Sequence, residues 1–416
     1  MAGCGGSKQD TDEANPEEKD MKSATLFIPG NFEDAYAYMG WLVVVTADKS
    51  FRFYSLDEIV AGIGGVVPDS AFITELMFRH NEWLTSKQFK SLTKTSRSTR
   101  EVVSQFDIFP KPYIQIPQQI GFKEYDIRVG TRGLLDYFIY NRQMYVGGTD
   151  GIFSAFVDWD GDVPSFPDRF EKRSDARCIN LTGRFGTMVA SCGDDGLLWS
   201  AEYAYGERDT PGDEWEKAED RSIKARWLSN GIVNYKTATD PNLLGVTKTR
   251  HRERSSEEET DDVVSGIGDD QRIPLQQSLL SEIKNRSSDV FEIDLIQYIF
   301  NSDKVVFVYT FDGHFFAVDL KLGKVGPPRL RYTHTYKGTG TRILSASVTK
   351  LGAVLETNDR VLHFADGEWN SVIDEPALSV RTFPHARNLH NLISITTENG
   401  VYLVGMFDDT RRLATM

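Results

Sequence analysis

Apolar and polar positions in this chain alternate in short runs, and the runs come in pairs joined by tight turns. The clearest pairs are Met144–Ala155, Met188–Trp199, Val305–Phe316, Ala353–Phe364 and Leu392–Val404, recurring about every 40–47 residues. Between the runs stand Thr149-Asp150-Gly151, Asp194-Asp195-Gly196, Phe311-Asp312-Gly313, Asn358-Asp359-Arg360 and Glu398-Asn399-Gly400. Asp-Gly and Asn-Gly pairs tolerate the positive φ angles of two-residue turns, whose twist matches that of the flanking strands. Each pair therefore reads as a β-hairpin.

A four-stranded unit repeating at this period is the mark of a β-propeller. The hairpins from Trp41 to Met406 predict an all-β ring of about seven four-stranded blades, with a helical insertion after the first. Weaker members are Trp41–Thr46 with Phe51–Ser55, and Ile232–Thr237 with Leu243–Lys248. The short apolar run Ala24–Ile28 precedes the first hairpin and is placed either to open the first blade or to close the ring by joining the last one. Residues 1–22 read as a disordered acidic tail and 23–416 as one propeller domain. The stretch 57–118 is too long for one period and reads as an insertion. Within it Ser70–Lys90 has helical spacing (Phe72, Ile73, Leu76, Met77, Trp83, Leu84), capped at Pro68-Asp69-Ser70, with its apolar side expected against the propeller. Between 250 and 272 a basic run gives way to a strongly acidic one, and this composition predicts a flexible charged loop.

Composition narrows the class. Hydrophobic residues make up 40% and aromatics 12% of the 416 residues, enough for a packed β core. No run of 18 apolar residues suggests a spanning helix, and Met1–Lys22 has no apolar secretory core, so the expected location is cytoplasmic. Three cysteines (Cys4, Cys178, Cys192) make no disulfide framework; Cys178 and Cys192 fall on neighbouring strands and are read as buried thiols. A net charge of −14 argues against coating by nucleic acid, although a local basic patch remains.

One segment carries a resemblance. Asp312–Lys324, with a Gly turn, an apolar strand, an Asp and a Gly-Lys turn, resembles the repeat of WD40-like and quinoprotein-like propellers, with looser echoes at Asp57 and Asp366-Gly367-Glu368-Trp369. The paired Gly-His and Trp-Asp dipeptides of ordinary WD40 blades do not recur. The resemblance thus implies the architecture alone. No residue matches a cofactor motif, so no cofactor is expected.

Candidate chemistry is sparse. Asp158-Trp159-Asp160-Gly161-Asp162 has the alternating carboxylates of a calcium loop, but Val163 and Arg169 stand where Gly and Glu belong, so a solvated turn is preferred. The seven histidines lack zinc spacing. Gly338-Thr339-Gly340-Thr341-Arg342 lacks the Lys and following helix of a phosphate loop and reads as an interblade connection. Lys87, Lys90, Lys94, Arg97 and Arg100 form a basic run with no acid between Lys87 and Arg100, a candidate contact for phosphates or an acidic partner, weighed against a solvated linker. The reading that follows is a non-enzymatic scaffold, a subunit of a multiprotein complex with protein partners and no membrane. The alternatives are an enzyme or small-ligand binder at the central channel, and a nucleic-acid-associated subunit using 87–100.

Overall fold

A computed structural model describes residues 22–66, 71–80, 83, 91, 97, 101, 104, 114–115, 122–125, 131, 133–159, 164–167, 169–201, 215–252, 260–286, 295–321, 328–365, 367–386 and 388–407. Among the described residues seven sheets follow one another along the chain, antiparallel except for one short strand added to the last. Their innermost strands are, in order, Phe32–Tyr38, Leu134–Tyr140, Asn180–Arg184, Lys224–Trp227, Ile296–Asn301, Ile343–Val348 and Ser379–Thr382. Each begins a meander of successive hairpins, as the sequence pattern predicts, and the blades are numbered 1 to 7 in that order.

The ring closes through the amino-terminal strand. Lys22–Pro29 pairs antiparallel with Gly400–Phe407, placing Leu26 opposite Leu403 and Ile28 opposite Val401, so blade 7 joins both ends of the described chain. Of the two roles the sequence allows for Ala24–Ile28, closure is the one adopted. Ala24, Leu26, Phe27 and Ile28 are all buried there. Full burial of one such Leu or Phe contributes about 1.5–3 kcal/mol, so a short strand suffices to hold the seam.

The insertion lies within blade 1, between its third strand, Phe51–Ser55, and its fourth, Phe122–Tyr125. It begins with helix α1 (Leu56–Val66), whose Glu58 N–H donates to Ser55 Oγ at 3.3 Å, and continues into α2 (Ala71–Phe78). Arg79 clamps the two, reaching Asp57 at 2.7 Å and Glu75 at 2.8 Å. Ile73, Leu76, Met77 and Phe78 are buried, as expected for the apolar side, while Phe72 and Trp83 are exposed. Met77 rests on Gly405 of blade 7, where a Cβ would lie 2.9 Å from the Met77 side chain, so a residue without one is required. Ile114–Gln115 then adds a parallel strand outside Lys22–Pro29. The insertion therefore straps the closing blade before returning to blade 1.

Blade 4 departs from expectation. The 250–272 segment, predicted as a mobile loop, is largely strand: Asp240–Arg252 pairs with Thr260–Pro274 well beyond the usual blade edge. Average composition hid two apolar residues in the acidic stretch. Val264 and Ile267 are buried beside Trp199 and Ala218 of blade 3 and anchor the long hairpin. A third helix, α3 (Leu275–Arg286), follows, with Leu275, Leu279, Leu280 and Ile283 buried between blades 4 and 5.

Candidate functional site

A propeller offers two faces, and here they differ. One carries the turns between first and second strands (the first-turn face). The other carries the turns between second and third strands, together with the starts of the innermost strands (the second-turn face).

The second turns are built on a recurring polar pair. Thr46 Oγ1 donates to Asp48, Thr310 Oγ1 to Asp312 and Thr357 Oγ1 to Asp359 (2.8 Å), while in blade 7 Asn399 N–H donates to Thr397 Oγ1 at 3.2 Å. Hydrogen bonds from Thr46 and then Ser50 hold the Asp48 carboxyl below its ordinary range, and Arg360 and then Thr357 do so for Asp359. Three of these turns thus hold a carboxylate in a fixed position on this face. The Thr-x-Asp spacing is readable in the sequence at Thr46, Thr310 and Thr357, overlapping the turn residues.

Next to these turns, each innermost strand opens with a residue that the ladder pushes outward. In blades 1, 2, 5 and 6 it lies in a β-bulge (Glu33, Leu135, Gln297, Leu344). In blades 3, 4 and 7 the corresponding residues, Ile179, Ile223 and Leu378, donate the first N–H of the strand to Ser191, Tyr235 and Thr396. Five of these seven positions are aliphatic, and Leu135, Ile223, Leu344 and Leu378 are 39%, 38%, 46% and 53% exposed. Phe311, in the second turn of blade 5, is 60% exposed. Single exposed apolar residues need no explanation; the same exposure at symmetry-equivalent positions does.

One residue further along, every innermost strand places a polar side chain at the channel: Asp34, Asp136, Asn180, Lys224, Tyr298, Ser345 and Ser379. They stitch neighbouring blades. Asp136 Oδ2 accepts from Leu181 N–H at 2.7 Å and Asn180 Oδ1 from Ala225 N–H at 3.4 Å, two steps of one blade repeat. Arg381 of blade 7 reaches Asp34 of blade 1 and, at 2.7 Å, Asp136 of blade 2, and its Nη1 donates to Tyr137 O at 3.2 Å. Ser379 Oγ donates to the same Asp34 at 2.5 Å. Two carboxylates, one guanidinium and several backbone groups thereby share a largely buried site spanning the seam. A charged residue within an otherwise apolar strand was the available sign of it.

Toward the first-turn face the channel widens into a cavity of about 1640 Å³ lined by residues of all seven blades. Its lining includes Arg79, Arg184, Lys224, Arg226, Lys304, Lys350 and Arg381 against only Asp57 and Asp303 among carboxylates. Arg184 spans from blade 3 to Asp303 of blade 5 at 2.7 Å, and Arg226 from blade 4 to the Ala346 carbonyl of blade 6. Lys224 is enclosed by protein while touching the channel. Burial, then the charge of Arg226, lower its pKa to about 7. His385 at the mouth is lowered to about 4 by burial and then by Arg184.

The other sequence candidates resolve unevenly. Lys87, Lys90, Lys94 and Arg100 lie outside the described residues; Arg97 is exposed and pairs with Glu101 at 3.0 Å. Asp160–Val163 also lies outside them, and Asp158 pairs with Arg142 at 3.4 Å. Gly338–Arg342 joins blades 5 and 6 as expected, with Thr339 hydrogen-bonded to Tyr309 Oη at 2.8 Å. Cys178 and Cys192 are buried and free, and a hydrogen bond to Cys192 and then burial push the Cys178 thiol up. His363 is buried with Nε2 3.2 Å from Thr349 Oγ1.

No family model matches the chain, and no curated protein matches it. Solved structures do. The WD40 β-propeller domain of Doa1 is 14% identical over 92% of this chain and 96% of its own, with a TM-score of 0.45. The amino-terminal domain of Nup159 is 9% identical over 94% and 98%, also at 0.45. The Cps50 (Swd1) β-propeller domain of Myceliophteria thermophila is 8% identical over 90% and 99%, at 0.44. The chain is a seven-bladed β-propeller. That statement rests on its own sheet order and closure, and at these identities the likenesses say nothing of activity or partners. Among the described residues no helix is long and apolar enough to cross a membrane, and no cluster of three metal-ligating side chains occurs.

Proposed function

We propose that this propeller is an interaction scaffold that grips a protein partner across its second-turn face. The observation that carries the reading is the repeated outward exposure of aliphatic side chains at equivalent positions around one channel mouth. Such a rim is costly to leave in water and is rigidly presented, since each residue follows from a bulge or strand start in a closed sheet. The acidic turns outside it would favour a partner surface with apolar residues flanked by Lys or Arg, and would steer its approach. Affinity capture from cell extract, comparing the native chain with a Leu344→Glu/Leu378→Glu variant, tests this. The native chain retains a protein that the variant loses, with nuclease making no difference. Equal retention by both refutes the rim as the docking surface.

A further inference from the structure

Beyond the rim, and independently of it, we propose that the opposite mouth is a binding site for a compact, soluble, multiply phosphorylated molecule. Charge is unbalanced at this mouth. Arg381 is neutralised by Asp34 and Asp136, Arg79 by Asp57 and Glu75, and Arg184 by Asp303. Lys224, Arg226, Lys304 and Lys350 also line the cavity; among the described residues none of them forms an ion pair with a carboxylate, and Asp136 and Glu356 lie near enough to Lys224 to favour its charged form. On a chain of net charge −14, these seven basic side chains against the five carboxylates that pair with Arg381, Arg79 and Arg184 leave a local surplus of positive charge in one concave site. The concavity concentrates the field, because low-dielectric walls replace the water that would screen it.

The placement of these groups selects the ligand. Lys224 and Arg226 belong to the innermost strand of blade 4, within the channel, whereas Lys304 and Lys350 sit on the first turns of blades 5 and 6 at the entrance. A ligand engaging both levels must be small enough to enter and carry charge along its length. Arg226 donates its Nη2 to the Ala346 carbonyl, and its guanidinium is of the planar, multiply donating kind that phosphoryl oxygens pair with. The site has the volume for such a guest, about 1640 Å³.

Isothermal titration calorimetry with sodium tripolyphosphate tests the proposal, with sodium sulfate at matched ionic strength and hexa-aspartate as the other arms. Saturable binding of tripolyphosphate is expected, weakening steeply as salt rises. Lys224→Met/Arg226→Met should weaken it about 30-fold or more, as loss of two charge-assisted contacts implies. Should that variant not fold, Lys304→Glu/Lys350→Glu, confined to exposed turns, should weaken binding about tenfold while leaving the melting transition in place. Unchanged affinity in the folded variants overturns the proposal. So does equal binding of sulfate, which would mean an adventitious ion only, and so does equal binding of hexa-aspartate, which would point to an acidic protein segment.

Discussion

The two mouths of this channel are built from the same seven strands, yet they have opposite chemistry. At the second-turn face, bulges and strand starts turn aliphatic side chains outward, among acidic turns. At the first-turn face the same strands end in a wide cavity with surplus cations. A few residues of travel along one strand thus separate a greasy, acid-fringed rim from a basic cup. What the contrast teaches is that blade repetition specifies where a side chain points, while the residue chosen there specifies what each face can hold.

Both mouths exist only while the ring is closed, so the seam offers the largest perturbation. Leu26→Asp puts a carboxylate at a fully buried position of the closing strand and should cost about 4 kcal/mol or more, leaving much of the chain unfolded in chemical denaturation. Arg381→Met should come next. It leaves Asp34 and Asp136 without their shared cation and should destabilise the ring by about 3–5 kcal/mol.

Acid should weaken blade 6 through a buried histidine. His363, hydrogen-bonded to Thr349 beside the first turn of blade 6, has its pKa lowered by burial to about 4. The unfolded chain, with an ordinary His, binds the proton more readily between that value and about 6.5. Stability from this residue is therefore fully present above about pH 6.5 and is lost as pH falls toward 4, by about 3 kcal/mol in all. His363→Gln should flatten the melting temperature across that window, a comparison thermal melts at stepped pH can make. The smallest effect on stability belongs to the rim. Leu344→Ser/Leu378→Ser should move the unfolding free energy by no more than about 0.5 kcal/mol per site, because both side chains already face water, while partner retention falls.

The hairpins of blades 2, 3, 5, 6 and 7 were legible because turn residues and alternation agree there. Ala24–Ile28 could be placed at the seam by its isolation, although only its pairing with Gly400–Phe407 decides between closure and a first-blade strand. Blade 4's long hairpin was illegible because its charged majority outweighed Val264 and Ile267, the two residues that anchor it. Helix α3 escaped notice because only Leu275, Leu279, Leu280 and Ile283 mark its buried side within a polar segment. Neither mouth could be read directly. Leu135 and Leu344 look like ordinary core residues until a one-residue bulge turns them outward, and Lys224, Arg226, Lys304 and Lys350 are separated along the chain and meet only when the ring closes. The basic run 87–100, conspicuous in the sequence, contributes a single described basic residue, Arg97, paired with Glu101.

The central claim, that partners dock on the aliphatic rim, is tested most directly by hydrogen–deuterium exchange on the protein alone and with its captured partner. Slowed exchange is expected at the starts of the innermost strands around Leu135, Ile223, Leu344 and Leu378 and in the adjoining second turns. Protection confined to the first turns at Ser302–Lys304 and Thr349–Gly352, with the rim unchanged, would contradict it.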